Sequence, residues 1–258
     1  IIIEDFGNTT FHKILSKKVN KFNTYKKIID LLIRIQKIKP KKNIKNVDKS
    51  TYEVKKYSNK FLLEESNLFF DWYLPLFLTK KKALNIKKKS NKMLLKIYKK
   101  INFSNSCFVH RDYHAQNLMK VGKKIGVIDS QDALIGNPAY DLVSIIDDVR
   151  IKTPTKLKNR IYIYYLKKKS RSFKKNSSNF LEDFEILSVQ RSLKIIGIFS
   201  RLFVRDKKKQ YLKLIPYTWK LLEMRMCSKI FSETRLSDCI ISGLFINSCP
   251  FGFTAFTS

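Results

Sequence analysis

The stretch FVHRDYHAQNLMK, residues 108–120, sets two histidines, an arginine, an aspartate and an asparagine behind a short apolar run. Three readings compete for it. His110 and His114 are four apart, a spacing that places two metal ligands on one face of a helix. The apolar run before His110 reads as a strand, however, and on a strand Cys107 points to the opposite face from His110. Zinc needs three or four ligands, and no third is in view. An ordinary polar turn is the second reading, with Asp112 capping it and Asn117 holding a left-handed bend.

Phosphoryl transfer is the third, and the spacing fits it best. His110-Arg111-Asp112 followed by Asn117 matches the H-R-D-x-x-x-x-N arrangement of kinase catalytic loops. An acceptor hydroxyl has to lie in line with a γ-phosphate while a carboxylate, here Asp112, takes its proton. Five residues later the amide oxygen of Asn117 suits Mg²⁺, a hard cation that prefers oxygen. A second oxygen ligand is expected at the end of a neighbouring strand. Asp129, which closes KIGVID, sits where a short hairpin delivers it. His110 reads as a structural group holding the loop by a hydrogen bond. His114 faces either a substrate or a surface turn.

Working outward, IIIEDFGN reads as a short buried strand ending in a turn, SCFVH, NLMKV and KIGVID as three more short strands, and nearly everything else as helix. Residues 22–38 place Phe22, Tyr25, Ile29, Leu32 and Ile35 at helical spacing, and Pro40 ends that helix. Thr9 or Thr10 is the expected N-cap of TTFHKILSK. A Lys/Asn-rich connector over 39–50 is expected to be solvated. The apolar segment 58–78 is expected to end or bend at Pro75. KALNIKKKSNKMLLKIYKKI is amphipathic, with Ile86, Met93, Leu94, Ile97 and Ile101 on one side. Beyond Pro138 come four further helices, the last expected to kink at Pro216. With only 7 glycines in the chain, a turn-rich β architecture is disfavoured.

The formal charge of +32 raises the question of nucleic acid. The lysines lie in scattered runs, KKKALNIKKKSNK, LKKKSRSFKK and DKKKQ, without interleaved stacking aromatics. Lys also greatly outnumbers Arg, the side chain preferred for bidentate phosphate contacts. No specific nucleic acid is therefore expected, and the charge reads as compositional bias. Cys107, Cys227, Cys239 and Cys249 show no C-x-x-C spacing, which points to reduced thiols in a cytoplasmic protein. No stretch reaches the ~20 apolar residues of a membrane helix. After Lys229 no lysine appears, so residues 231–258 are set apart as an atypical tail, with a reading-frame artefact as the favoured explanation.

With the loop and IDSQDALIGNPAYDL together, the chain resembles the aminoglycoside phosphotransferase and choline kinase superfamily. Within it the likeness is greatest to the bacterial anomeric kinases of N-acetylmuramate and N-acetylglucosamine. IIIEDFGN, ESNLFFDWYLP and QRSLKIIGIFSRLFVRDKKKQYL carry that narrower likeness. The resemblance implies an α+β, protein-kinase-like fold, mainly its helical C-terminal lobe over residues 9–230. Residues 1–8 would close an N-terminal lobe that is largely missing and form the hinge.

It further implies ATP as phosphate donor and Mg²⁺ as cofactor. The acceptor would be a small molecule, an amino sugar of cell-wall recycling. Asp112 would be the base, with Asn117 and Asp129 on the metal. Glu4 and Asp5 would lie near adenine, Asp141 would brace the loop, and Asp132 is a further candidate near the metal. Gln190, Arg191 and Lys194 would line the acceptor pocket or serve core packing. No Gly-rich phosphate loop and no strand lysine are present, and both belong to the lobe expected before IIIEDFGN. A catalytically silent binding protein, or a kinase for choline or an aminoglycoside, is the alternative reading.

Overall fold

The computed structural model describes residues 4–17, 19–45, 48–234 and 236–241. They fall into two compact units, each built from two separate stretches of chain. Ile1–Tyr57 joins Asn102–Leu187 in the first, and Ser58–Ile101 joins Ser188–Ser258 in the second.

The first unit opens with α1 (Phe11–Leu15), capped by Thr10, whose hydroxyl accepts from Lys13 N. Helix α2 (Lys21–Lys37) follows, with the Asn20 side chain accepting from Asn23 N. Tyr25, Ile28, Ile29, Leu32 and Ile33 recur every three to four positions, and all five are buried. That stripe is the reason the segment is helical in this setting. Burying each such side chain contributes about 1.5–3 kcal/mol. The helix stops at Lys37, before the residue preceding Pro40, where α backbone is disfavoured.

The segment expected as a solvated connector carries a small antiparallel hairpin, β1 (Asn43–Lys45) with β2 (Thr51–Glu53). All six strand residues are exposed, so no alternation of apolar and polar residues marked them. Strand β3 (Cys107–Val109) pairs antiparallel with β6 (Leu134–Gly136), and β4 (Leu118–Val121) with β5 (Lys124–Val127). Helices α5 (Ala139–Ile146), α6 (Thr155–Lys167) and α7 (Arg171–Lys175) complete the unit, with the first turns of α8 (Ser177–Val204). Its core includes an aromatic cluster in which Phe180 meets Phe103, Tyr165 and Phe173 at 5.3, 5.6 and 4.8 Å between centroids. Asp183 on α8 is fully buried and accepts from the backbone N–H groups of Asn102 and Phe103 and from Asn137 Nδ2.

The second unit contains α3 (Asn59–Leu68), α4 (Lys80–Tyr98) and the rest of α8, then α9 (Ile215–Met226), α10 (Lys229–Ser232) and α11 (Leu236–Ile241). Helix α3 does not simply end at Pro75. It widens into a π-helical turn over Phe69–Tyr73 and tightens into a 3₁₀ turn over Leu74–Leu76. Gly197 of α8 lies directly against the start of the wide turn, and a Cβ there would overlap the backbone of Leu68 and Phe69. Pro216 produces no kink. It stands in the first turn of α9, where a missing N–H costs no helical hydrogen bond, and a separate 3₁₀ turn precedes it. Of the expected tail, Phe231, Leu236 and Ile240 are buried. Residues 242–258, with Cys249, lie outside the described residues, as do Ile1–Ile3 of the expected opening strand.

Candidate active site

The quoted loop leaves β3 at His110 and turns at once. Arg111 has φ +72, a left-handed conformation that costs a non-glycine residue roughly 1–2 kcal/mol. Asp141 holds it there. This carboxylate stands in the first turn of α5, is 1% exposed, and accepts from His110 N at 2.7 Å and Arg111 N at 3.0 Å. The Arg111 side chain then runs outward, its Nε donating to Tyr57 Oη at 3.3 Å and Nη1 to the Asp132 carbonyl at 3.2 Å.

The turn brings the loop onto the end of β5. His110 Nε2 donates to the Ile128 carbonyl at 2.9 Å, and Ile128 N donates to the Asn117 carbonyl at 3.1 Å. Asn117 Nδ2 in turn donates to the Asp112 carbonyl at 3.2 Å. Asp112 and Asn117 on the loop are thereby tied to the residue immediately before Asp129. Asp129 has φ +61 and is exposed, Asp112 is half-buried and Asn117 is buried. Burial is the main influence on His110 and lowers its pKa, opposed by the bond to Ile128 and by the charges of Asp112 and Asp129. Both carboxylates therefore act on one imidazole.

The underside of the loop is clamped from three directions. Tyr113 Oη donates to the Ile28 carbonyl at 2.9 Å, Ala115 N donates to Asp148 Oδ2 at 3.1 Å, and His12 N donates to the Ala115 carbonyl at 2.9 Å. His114 is buried, with its N–H on the Asp112 carbonyl at 2.9 Å. Glu4 and Asp5 are exposed, and Asp5 Oδ1 accepts from Gly7 N at 2.7 Å. Their segment is anchored beside the hairpin. Phe6 occupies the space a Cβ on Gly126 would need, and Lys120 N donates to the Thr9 carbonyl at 2.8 Å. Asp132 is exposed, and its backbone carbonyl accepts from Arg111 of the loop.

Gln190 and Lys194 belong to the second unit. There they converge on Glu65, a buried carboxylate of α3. Lys194 Nζ lies 2.7 Å from Glu65 Oε1, and Gln190 Nε2 donates to Glu65 Oε2 at 3.0 Å. Arg191 is buried too, at 4% exposure. Reading the sequence alone missed Glu65, and with it Asp148, Asp183 and Tyr57. One signal was available. With only 21 acidic against 53 basic residues, the acids in apolar segments stand out, and these three are buried beneath loops or helices.

Among the described residues no group of three or more His, Cys, Asp or Glu side chains is placed to hold a metal ion. The oxygens of Asn117 and Asp129 do fit a hard divalent cation. Since Asn117 Nδ2 is engaged on Asp112, its Oδ1 is turned the other way, and Mg²⁺ is usually held by only one or two protein oxygens beside water and phosphate. No helix among the described residues is long and apolar enough to cross a membrane.

Solved structures share this fold. A choline/ethanolamine kinase family protein from Mesorhizobium loti superposes with a TM-score of 0.56 over 91% of this chain and 71% of its own, at 10% identity. Spectinomycin phosphotransferase, in an AMP-bound complex, gives 0.54 over 86% of this chain and 70% of its own, at 12% identity. The fold is that of the kinase-like phosphotransferases. The family model described as phosphotransferase enzyme family (APH) matches residues 24–173, and the chain belongs to that family. An N-acetylmuramate/N-acetylglucosamine kinase of Neisseria meningitidis serogroup B is 29% identical over 223 residues, 84% of this chain and 64% of the relative. The chain thus spans less than two thirds of that relative's length. The expected superfamily resemblance is borne out.

Proposed function

We propose that this chain carries the catalytic loop of an ATP-dependent phosphotransferase acting on a hydroxyl of an amino sugar of the N-acetylmuramate or N-acetylglucosamine type. The observation that carries this reading is the hydrogen-bonded tie from Asp112 through Asn117 to Ile128, which sets two acids and an amide on one short frame. Asp112 would accept the proton of the acceptor hydroxyl. Asn117 Oδ1 and the Asp129 carboxylate would hold Mg²⁺, which when bound neutralises charge on the donor phosphates. His110, neutral in its buried position, would keep the loop against β5, and Asp141 would hold the turn that aims Asp112. Glu4 and Asp5 would border the adenine, and the Glu65 cluster with Gln190, Arg191 and Lys194 is proposed for the acceptor side. The relative's name supports the sugar, and the AMP-bound phosphotransferase supports a nucleotide.

A bilobal arrangement belongs to the same proposal, with the phosphates held by a lobe outside these 258 residues. Residues 1–8 would be the hinge and 9–230 the helical lobe. The setting we propose is cytoplasmic, in keeping with the use of ATP and with free thiols at Cys107, Cys227 and Cys239. Because positioning supplies most of the catalysis in phosphoryl transfer, the 258 residues alone are expected to transfer little phosphate. The alternative reading is a silent relative that binds but does not transfer.

The test is a transfer assay with ATP and Mg²⁺ on the product of the full reading frame. Acceptors would be N-acetylmuramate, N-acetylglucosamine, choline and an aminoglycoside. Transfer to an amino sugar that falls about 10³-fold or more in Asp112→Asn supports the proposal. Transfer to choline alone overturns the sugar assignment, and no transfer to any acceptor supports the silent relative.

A further inference from the structure

A concave surface lies in the first unit, where the start of α2 faces the start of α6. It is a recess of about 580 Å³, largely open to solvent. Among the described residues four cationic ones line it, Lys17, Lys21, Lys156 and Arg160, and no acidic one does. None of the four forms an ion pair within the described residues, although other cations of the same unit do, such as Lys158 with Asp147 and Lys168 with Asp30.

Two features make this more than an ordinary basic patch. The Arg160 guanidinium lies 4.1 Å from the centre of the Phe22 ring, and Phe22 itself lines the cavity. Stacking of that kind fixes a planar cation without neutralising it. Helix α6 also begins uncapped. Pro154 offers no side-chain acceptor, and the N–H groups of Thr155 and Lys156 have no acceptor within the described residues. The start of α2 is capped by Asn20, so the positive end of α6 is the one left open on the cavity wall. Like charges in a recess repel one another and concentrate anions from solution.

We propose that this cavity binds a small phosphate-bearing anion, through the side chains of Lys17, Lys21, Lys156 and Arg160 and the first amides of α6. The recess and the planar guanidinium favour a phosphate or pyrophosphate group over the continuous backbone of a nucleic acid, which needs an extended basic groove.

Inorganic pyrophosphate is the probe, titrated into the protein without divalent cations so that the Asn117–Asp129 oxygens contribute nothing. One saturable site is expected, with the largest amide shifts at Thr155 and Lys156 in ¹H–¹⁵N spectra. Lys156→Glu and Arg160→Gln should each weaken binding about tenfold. Lys88→Glu, at an exposed position of α4 in the other unit, should change it less than twofold. Lys156 is exposed, so its variant tests the site even if Arg160→Gln disturbs packing on Phe22. Binding weakened equally by Lys88→Glu, shifts spread over many lysines, or no saturation would overturn the proposal.

Discussion

Asp141 fixes Arg111 in a left-handed backbone conformation, its Oδ1 accepting the Arg111 N–H at 3.0 Å where φ is +72. The other oxygen takes the preceding N–H, from His110, at 2.7 Å. Asp141→Asn preserves size but presents an amide donor to one of two backbone donors. We expect a loss of about 2–3 kcal/mol in urea unfolding and faster amide exchange at His110 and Arg111. Unchanged exchange at both amides would remove the bracing role.

His110 gives a pH dependence of definite sign. Burial holds its folded pKa below the ordinary value, and Nδ1 has no partner among the described residues to accept from a second proton. The unfolded chain therefore binds more protons than the folded one over the window below about 6.5. The stabilisation is fully present above that value and is lost as pH falls through the window. His110→Gln keeps a donor near Ile128 without a titrating ring. Wild-type protein should lose more stability than this variant between about pH 7 and about pH 5 in thermal unfolding. Parallel losses would show that other groups dominate.

Lys194 and Glu65 form a buried pair, and removing one partner leaves the other uncompensated. Lys194→Met should cost about 3–5 kcal/mol, whereas Glu65→Leu combined with Lys194→Met should recover much of it. A double-mutant cycle by chemical denaturation measures the coupling. Additive losses would mean that the two side chains do not stabilise each other.

Gly197 is required by a backbone contact rather than by its own conformation. The alanine methyl has no space against Leu68 and Phe69, so Gly197→Ala should destabilise by about 1–3 kcal/mol despite alanine's better helix propensity. A melting temperature raised by the substitution would contradict the contact.

How far the sequence could be read depends on what makes each part. Helix α2 was legible because its buried stripe is periodic, and the loop because Asp112, Asn117 and Asp129 have the spacing that the proposed phosphoryl transfer would use. Strand β6 was not. It has three residues, and it is a strand because β3 lies beside it, a long-range fact that no local pattern carries. The same holds for the π turn at Phe69–Tyr73, which is accompanied by a glycine far along the chain. Pro216 misled because a proline inside an apolar run reads as a kink when it can equally start a helix. Glu65 went unnoticed because a carboxylate on an amphipathic helix looks solvated until a lysine from elsewhere meets it.

The interleaving of the two units has a consequence on the ribosome. Segment 58–101 emerges before residues 102–187, 86 in all, and only then does the stretch carrying Gln190, Lys194 and Gly197 appear. At about 5–20 residues per second, α3 waits roughly 4–17 s for the helix that meets its Glu65. Throughout that delay Phe69 lacks its contact with Trp219, and Glu65 lacks its cation. The nascent chain is therefore most open to chaperone capture, and to aggregation, in the middle of its own synthesis.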